Sequence, residues 1–187
     1  YPLPGAILTR VASSHIRIGT FQYAAMQNNK MLLSELTKYT IKRHFPEILD
    51  NKNSALFLLK AVIKKQIDLV VDWMRVGFIH GVMNTDNITV SGETIDYGPC
   101  AFMDVYYPKT VFSSIDHGGR YSFINQPTNI HWGLSRFAEA LLPLMEGDKK
   151  KVVDSVRGVI DEIPSLYEEA WFSMMRKKLG FFDTIKR

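Results

Sequence analysis

Between Ser54 and Gly77, apolar residues return at every third or fourth position: Leu56, Leu59, Ile63, Ile67, Val70, then Trp73 or Met74. That spacing lines them up on one side of an α-helix, so the run predicts a long helix with a single buried face. Asn51-Lys-Asn-Ser54 supplies polar residues suited to its start, and Gly77 is a residue able to take the left-handed conformation that stops it. A helix with such a stripe demands covering elements elsewhere in the chain. It also delivers the residues after Gly77 to a fixed place, and these include His80-Gly-Val-Met-Asn-Thr-Asp86-Asn87.

The remaining pattern is α+β and predominantly helical. Ala6 to Ala12 is rich in β-capable residues and reads as a strand. Ser13 and Ser14 suit the cap of a helix running from about His15 toward Gln27, and Asn28-Asn29 marks a turn. A second helix runs from about Met31 to Arg43, with Pro46 closing the region. Ile88–Val90 and Glu93–Ile95 read as two short strands around Ser91-Gly92, a hairpin that would set Asn87 and Asp96 side by side at its open end. Ala101 to Asn129 is irregular, as befits a long functional loop. Helices are then expected from Trp132 to Leu144, after Gly147-Asp148 with Val152, Val153, Val156, Val159 and Ile160 inside, and, beyond a separating Pro164, from Leu166 to Leu179.

An apolar fraction of 46% over 187 residues suffices for one hydrophobic core and excludes a disordered chain. A net charge of +4 tolerates a polyanionic ligand but lacks the dense basic stripe expected of a nucleic-acid binder, so no nucleic-acid partner is expected. No apolar run approaches the roughly 20 residues that span a bilayer, and no membrane partner is expected. The single Cys100 excludes an internal disulfide, and the five histidines show no metal-ligand spacing that would suggest zinc. Tyr1 stands where an initiator Met would, which reads as a chain whose beginning lies upstream.

The loop that begins at His80 has the layout of a kinase catalytic loop. Protein kinases carry H-R-D-x-x-x-x-N and then D-F-G; the Asn and the second Asp hold Mg²⁺ on the nucleotide phosphates, and the first Asp handles the substrate hydroxyl proton. Here His80 and Asn87 keep that separation, and Asp96-Tyr97-Gly98 takes the place of D-F-G. The position of the base is Val82, which cannot accept a proton. Either the chain is silent for kinase chemistry or a displaced acid does a related job, and Asp86 is the acid at hand. Only 79 residues precede His80, and none form the glycine-rich lid of a kinase.

Five runs carry a closer resemblance: Pro4-Gly-Ala-Ile-Leu-Thr-Arg-Val-Ala12, Ser14-His-Ile-Arg-Ile-Gly-Thr-Phe21, His80 to Asn87, Thr94-Ile-Asp-Tyr-Gly-Pro99, and Asp116-His-Gly-Gly-Arg-Tyr121 with Asn125-Gln-Pro127. In these the chain resembles the selenoprotein O (SelO/YdiU) family, kinase-like proteins that transfer AMP rather than phosphate. The resemblance implies a protein adenylyltransferase that moves AMP from ATP·Mg²⁺ (or Mn²⁺) to Ser, Thr or Tyr hydroxyls of proteins, releasing pyrophosphate. It further implies that Asn87 and Asp96 hold the metal, that Asp86 is the general base, and that Arg10 and Arg17 grip the phosphates of an inverted nucleotide. Family members are more than twice this long. The resemblance therefore implies an internal piece, with 1–29 a remnant of the hinge and nucleotide lobe and 30–187 a helical C-lobe, expected to be inactive alone. It places the protein in the bacterial cytoplasm or, in a eukaryote, the mitochondrion.

Plainer readings stand beside these. Asn87 and Asp96 would serve equally as residues flanking a hairpin, and Asp86 as a loop cap. His80 reads more as an organiser of the loop than as a proton shuttle. Arg10 and Arg17 would otherwise be surface ion-pair partners. The Asp116–Tyr121 segment reads either as part of a substrate loop or as a glycine turn with an Arg120 ion pair. For the whole, a true phosphotransferase or a silent pseudokinase used as a binding module are the rival functions.

Overall fold

The computed structural model describes residues 3–49 and 51–181. Helices α1 (Ile18–Met26) and α2 (Lys30–His44) precede α3 (Ser54–Val76); strands β1 (Phe78–Ile79) and β2 (Ala101–Phe102) follow, then α4 (Gln126–Leu141), α5 (Lys149–Asp161) and α6 (Ile163–Lys178). The architecture is predominantly helical with one two-stranded antiparallel sheet.

Helix α3 is the centre of the core, as its periodicity requires. Leu58, Leu59, Val62, Ile63, Ile67, Val70 and Trp73 are buried along it, whereas Leu56 and Met74 lie at the margin. Each fully buried aliphatic side chain contributes roughly 1.5–3 kcal/mol, so this stripe is a large share of the core. Helices α4 and α6 pack against α3, and α1 packs on α4 through Phe21 and Phe137, whose rings meet edge-on at 4.9 Å. Gly77 ends α3 in the left-handed conformation, φ 72°, with its N–H donating to the Trp73 carbonyl. Among the described residues no helix is long and apolar enough to cross a membrane.

Strand β1 leaves α3 directly and pairs with β2, Phe78 opposite Phe102 and Ile79 opposite Ala101. The pairing closes residues 80–100 into a loop whose two ends are fixed to each other. Gln126, the first residue of α4, secures the same point from a buried position. Its Nε2 donates to the Phe78 carbonyl at 2.9 Å, and its Oε1 accepts from the His80 N–H at 3.0 Å.

Several expectations fail, each for a local reason. Residues 6–12 form no strand. Residues 6–11 are exposed, with Ile7 98% and Val11 92% accessible, and no neighbouring backbone among the described residues pairs with them. The hairpin at 88–95 reduces to a single bridge, Ile88 to Thr94. The Thr89 hydroxyl donates to the Glu93 carbonyl at 2.8 Å and accepts from the Glu93 N–H at 3.1 Å, so the side chain replaces a ladder rung. Residues 16–18 supply the pairing instead: Ile18 N–H donates to Ile88 O at 2.9 Å, and Val90 N–H to Ile16 O at 3.0 Å.

That pairing delays α1 to Ile18, and Ser13 and Ser14 do not cap it. Ser14 Oγ accepts from Ile16 N–H, while Ser13 reaches Glu93. Helix α4 starts at Gln126, inside the stretch expected to be irregular, and its last turn tightens to a 3₁₀ turn at Leu142–Leu144. Pro164 does not separate α5 from α6 but sits in the first turn of α6, where its missing N–H costs nothing. Asp148 caps α5 by accepting from Lys151 N–H, and Val153 is turned outward rather than into the core.

Candidate functional site

The loop after β1 is organised around His80, which is buried. Its Nε2 lies 2.8 Å from the Ile95 carbonyl, and its Nδ1 faces the Val82 N–H at 3.4 Å. Those partners require a ring that donates from Nε2 and accepts at Nδ1, which is the neutral form. Burial accordingly holds its pKa below the ordinary 6.5, against the opposing pull of Ile95 and Asp96. This is the organiser's role, and it leaves no free ring nitrogen for proton transfer. Trp73 braces the same region from α3: its Nε1 donates to Thr94 Oγ1 at 2.8 Å and its ring stands 5.4 Å from that of His80.

Gly81 has φ 85°, and a Cβ there would stand 2.9 Å from Pro99 Cγ and 3.0 Å from the Pro99 carbonyl oxygen. Only glycine lets the loop lie this close to the turn that follows Asp96. Asp96 is itself held at φ 57°, an uncommon backbone state for a residue with a side chain.

Asn87 is half-buried at the end of a 3₁₀ turn, Thr85–Asn87. Its Nδ2 donates to the Val82 carbonyl at 3.1 Å, which fixes the orientation of the carboxamide. The Ile88–Thr94 bridge sets Asn87 across from the segment that leads through Ile95 into Asp96. Asp96 is exposed, and among the described residues its carboxylate has no ion-pair partner. Asp86, next to Asn87, is exposed as well. Helix α1 supports this turn from beneath: a Cβ on Gly19 would come within 3.2 Å of the Asp86 backbone nitrogen.

The two arginines arrive by different routes. Arg17 precedes α1, where its N–H donates to Thr20 Oγ1 at 3.2 Å, and it forms the bridge to Thr89, two residues from Asn87. Its Nε is buried without a hydrogen-bond partner. A buried, unsatisfied donor on a permanent cation calls for an acceptor, most fittingly an anion. Arg10 lies in the exposed N-terminal segment, with Cζ 5.4 Å from the centroid of Tyr97, the residue after Asp96. Neither arginine forms an ion pair with a described carboxylate. Ser13, between them, anchors the segment: Glu93 accepts from its N–H and hydroxyl, bonds that hold the Glu93 carboxyl below the usual glutamate range.

The Asp116–Tyr121 segment folds back onto the loop. Tyr121 donates its hydroxyl to Asn84 Oδ1 at 2.7 Å. The turn forms, but the Arg120 ion pair does not: Asp116 accepts from the backbone N–H groups of Arg120 and Tyr121 at 2.9 and 2.8 Å, and the Arg120 guanidinium stacks on Trp132. Sequence reasoning missed the roles of Gln126, Trp73 and Glu93. Only the run Asn125-Gln-Pro127 hinted at one of them.

The oxygen-bearing side chains that the loop offers near its two ends are Asn87, with Asp86 beside it, and Asp96; among the described residues no cluster of three His, Cys, Asp or Glu exists. The pair of Asn87 and Asp96 fits Mg²⁺, which keeps several waters and takes much of its coordination from substrate phosphates. It does not fit a closed structural metal site. A surface cleft also runs along α3 and α6, between Lys64, Asp72, Leu166 and Lys178, away from these residues.

The family model described as "Protein adenylyltransferase SelO" matches residues 2–187. A "Protein nucleotidyltransferase YdiU" from Alcanivorax borkumensis is 59% identical over 182 residues, 97% of this chain and 38% of that protein. Proteins of the same description from Nitrosococcus oceani and Anoxybacillus flavithermus are each 58% identical, over 98% and 96% of this chain. The chain spans 37% and 38% of those two relatives' own lengths. With the model matched almost from end to end, the chain belongs to the SelO family.

Proposed function

We propose that the chain is the kinase-like helical lobe of a protein adenylyltransferase, carrying the metal-binding and acceptor-side groups of AMP transfer. In the reaction the hydroxyl oxygen of a Ser, Thr or Tyr on the acceptor protein attacks the α-phosphorus of ATP. The bond from that phosphorus to the oxygen bridging the β-phosphate breaks, and pyrophosphate leaves. Asp86, exposed at the loop, takes the hydroxyl proton. Asn87 and Asp96 hold Mg²⁺ or Mn²⁺, which when bound offsets the charge of the phosphates. Arg17 and Arg10 fork onto the phosphate oxygens, where charge accumulates on the leaving group.

One observation carries this reading best. Val82, at the position of the kinase base, cannot accept a proton, while its backbone carbonyl accepts from Asn87 Nδ2 at 3.1 Å and the acidic Asp86 stands next to Asn87 along the chain. That arrangement supports Asn87 as a metal-side residue with Asp86 as the proton acceptor.

The test uses the full-length protein with ATP labelled at either the α- or the γ-phosphate. AMP transfer leaves α-label on protein and γ-label in pyrophosphate. Transfer of γ-label alone would identify a phosphotransferase. No transfer of either, with partner binding unaffected by Asn87→Ala or Asp96→Ala, would identify a silent binding module.

A further inference from the structure

Arg120 is held more firmly than an exposed side chain requires. Its N–H is bound by Asp116 at 2.9 Å and its carbonyl accepts from Asn129 Nδ2 at 2.6 Å. The guanidinium then lies on the Trp132 indole, with Cζ 4.9 Å from the ring centroid, and 5.6 Å from that of Tyr121. Arg136 approaches the same indole at 6.0 Å, but its Nη2 is engaged by Glu139 at 2.6 Å. Arg120 has no carboxylate partner among the described residues. A guanidinium stacked on an aromatic face keeps its plane fixed while its N–H edge stays free to fork onto an oxyanion. The neighbouring Tyr121 fixes where that edge is displayed, because its hydroxyl is bonded to Asn84, two residues before Asp86.

We propose that Arg120 determines acceptor specificity by binding an Asp or Glu side chain of the acceptor protein that flanks, in sequence, the hydroxyl that is modified. The inference rests on the proposed AMP transfer. A carboxylate of the acceptor is favoured over a nucleotide phosphate by connectivity. Arg10 and Arg17 meet the loop at Tyr97 and Thr89, beside the metal donors, whereas Arg120 meets it through Asn84, at the other end of the turn that carries Asp86.

The full-length protein is assayed with α-labelled ATP and serine peptides that carry Glu, Gln or Lys at each of the flanking positions. The wild-type protein is expected to prefer a Glu peptide over its Gln counterpart by about tenfold or more in kcat/KM, the scale of one charge-assisted hydrogen bond. Arg120→Gln should abolish that preference while leaving the Gln peptide and the KM for ATP within about twofold. Arg120→Glu should turn the preference toward Lys. Arg120→Lys, which keeps the charge and the packing of the stem, should retain part of the preference and guards against misfolding of the other variants.

Indifference of the wild-type protein to flanking charge would overturn the proposal. So would an equal loss with every peptide, which would mean a merely structural role, or a raised KM for ATP, which would mean that the anion is the nucleotide's. AMP transfer without an acidic preference sinks this inference alone. Absence of AMP transfer to any acceptor removes the proposed function along with it.

Discussion

The imidazole of His80 is hydrogen-bonded to the carbonyl of Ile95, 2.8 Å away, and so ties the loop that presents Asn87 to the residue before Asp96. Fifteen residues separate the two in sequence, yet one buried ring fixes their relation. The bond needs a neutral ring that donates from Nε2, with Nδ1 facing the Val82 N–H.

Protonation of His80 should therefore be resisted. Its pKa is depressed, chiefly by burial, so between its folded value and the ordinary 6.5 the unfolded chain binds a proton that the folded chain does not. Stability is then expected to fall as pH drops through 6.5, and to keep falling until the folded value is passed. His44, also depressed chiefly by burial, acts in the same direction. The ring resonances of His80, followed by NMR, should titrate below 6.5; a midpoint at or above that value would contradict the neutral, bonded ring.

Asn87→Ala and Asp96→Ala in the full-length protein are each expected to lower AMP transfer by about 100-fold or more, since each removes an oxygen donor from a charge-compensating site. Asp96→Ala removes no buried side chain, but Ala suits the left-handed backbone at 96 less well than Asp, so a small loss of stability is expected; Asp96→Asn keeps that backbone preference and serves as the control. Asn87→Ala also removes the bond to Val82, and a small loss of thermal stability, about 1 kcal/mol, is expected with it. Raising Mg²⁺ should recover part of the activity of either variant; unchanged turnover without recovery would remove both residues from the metal site.

Arg17→Lys keeps the charge but not the fork, and it deletes the buried Nε that has no partner. A loss of about tenfold in kcat/KM for ATP is expected, with stability unchanged or slightly raised, because an unsatisfied buried donor is removed. If the variant were markedly less stable and equally active, Arg17 would be a structural residue.

The sequence made some of this legible and hid the rest for identifiable reasons. Helix α3 was plain because its apolar period repeats without interruption, and Gly77 ends it as expected. The start of α4 was hidden because Gln126-Pro-Thr-Asn reads as a polar turn, although Pro in a first turn is compatible with a helix. Ala6 to Ala12 misled because β-propensity forms a strand only where a partner backbone waits. The bridge that links the Asn87 segment to the Asp96 segment could be read because both lie in one short stretch of chain. Gln126 could not, since its partners Phe78 and His80 are 48 and 46 residues away and nothing local signals the contact.

Glu93 offers a test of how the N-terminal segment is held. Its carboxylate accepts from the Ser13 N–H at 3.2 Å and from Ser91 Oγ at 2.8 Å, joining the stretch between Arg10 and Arg17 to the turn before Asp96. These bonds favour the ionised form, so the folded pKa lies below the ordinary 4.5. The stabilisation is fully present above 4.5 and is lost as pH falls through the lowered folded value, where the carboxyl takes a proton. Glu93→Gln should remove that acid-sensitive step and loosen the segment at every pH. Hydrogen exchange at residues 11–17 should then quicken, and the KM for ATP in the full-length protein should rise by about threefold to tenfold, in proportion to the loss of a charge-assisted bond that positions both arginines. Unchanged exchange at Ser13 would mean that the clamp plays no part in holding the arginines.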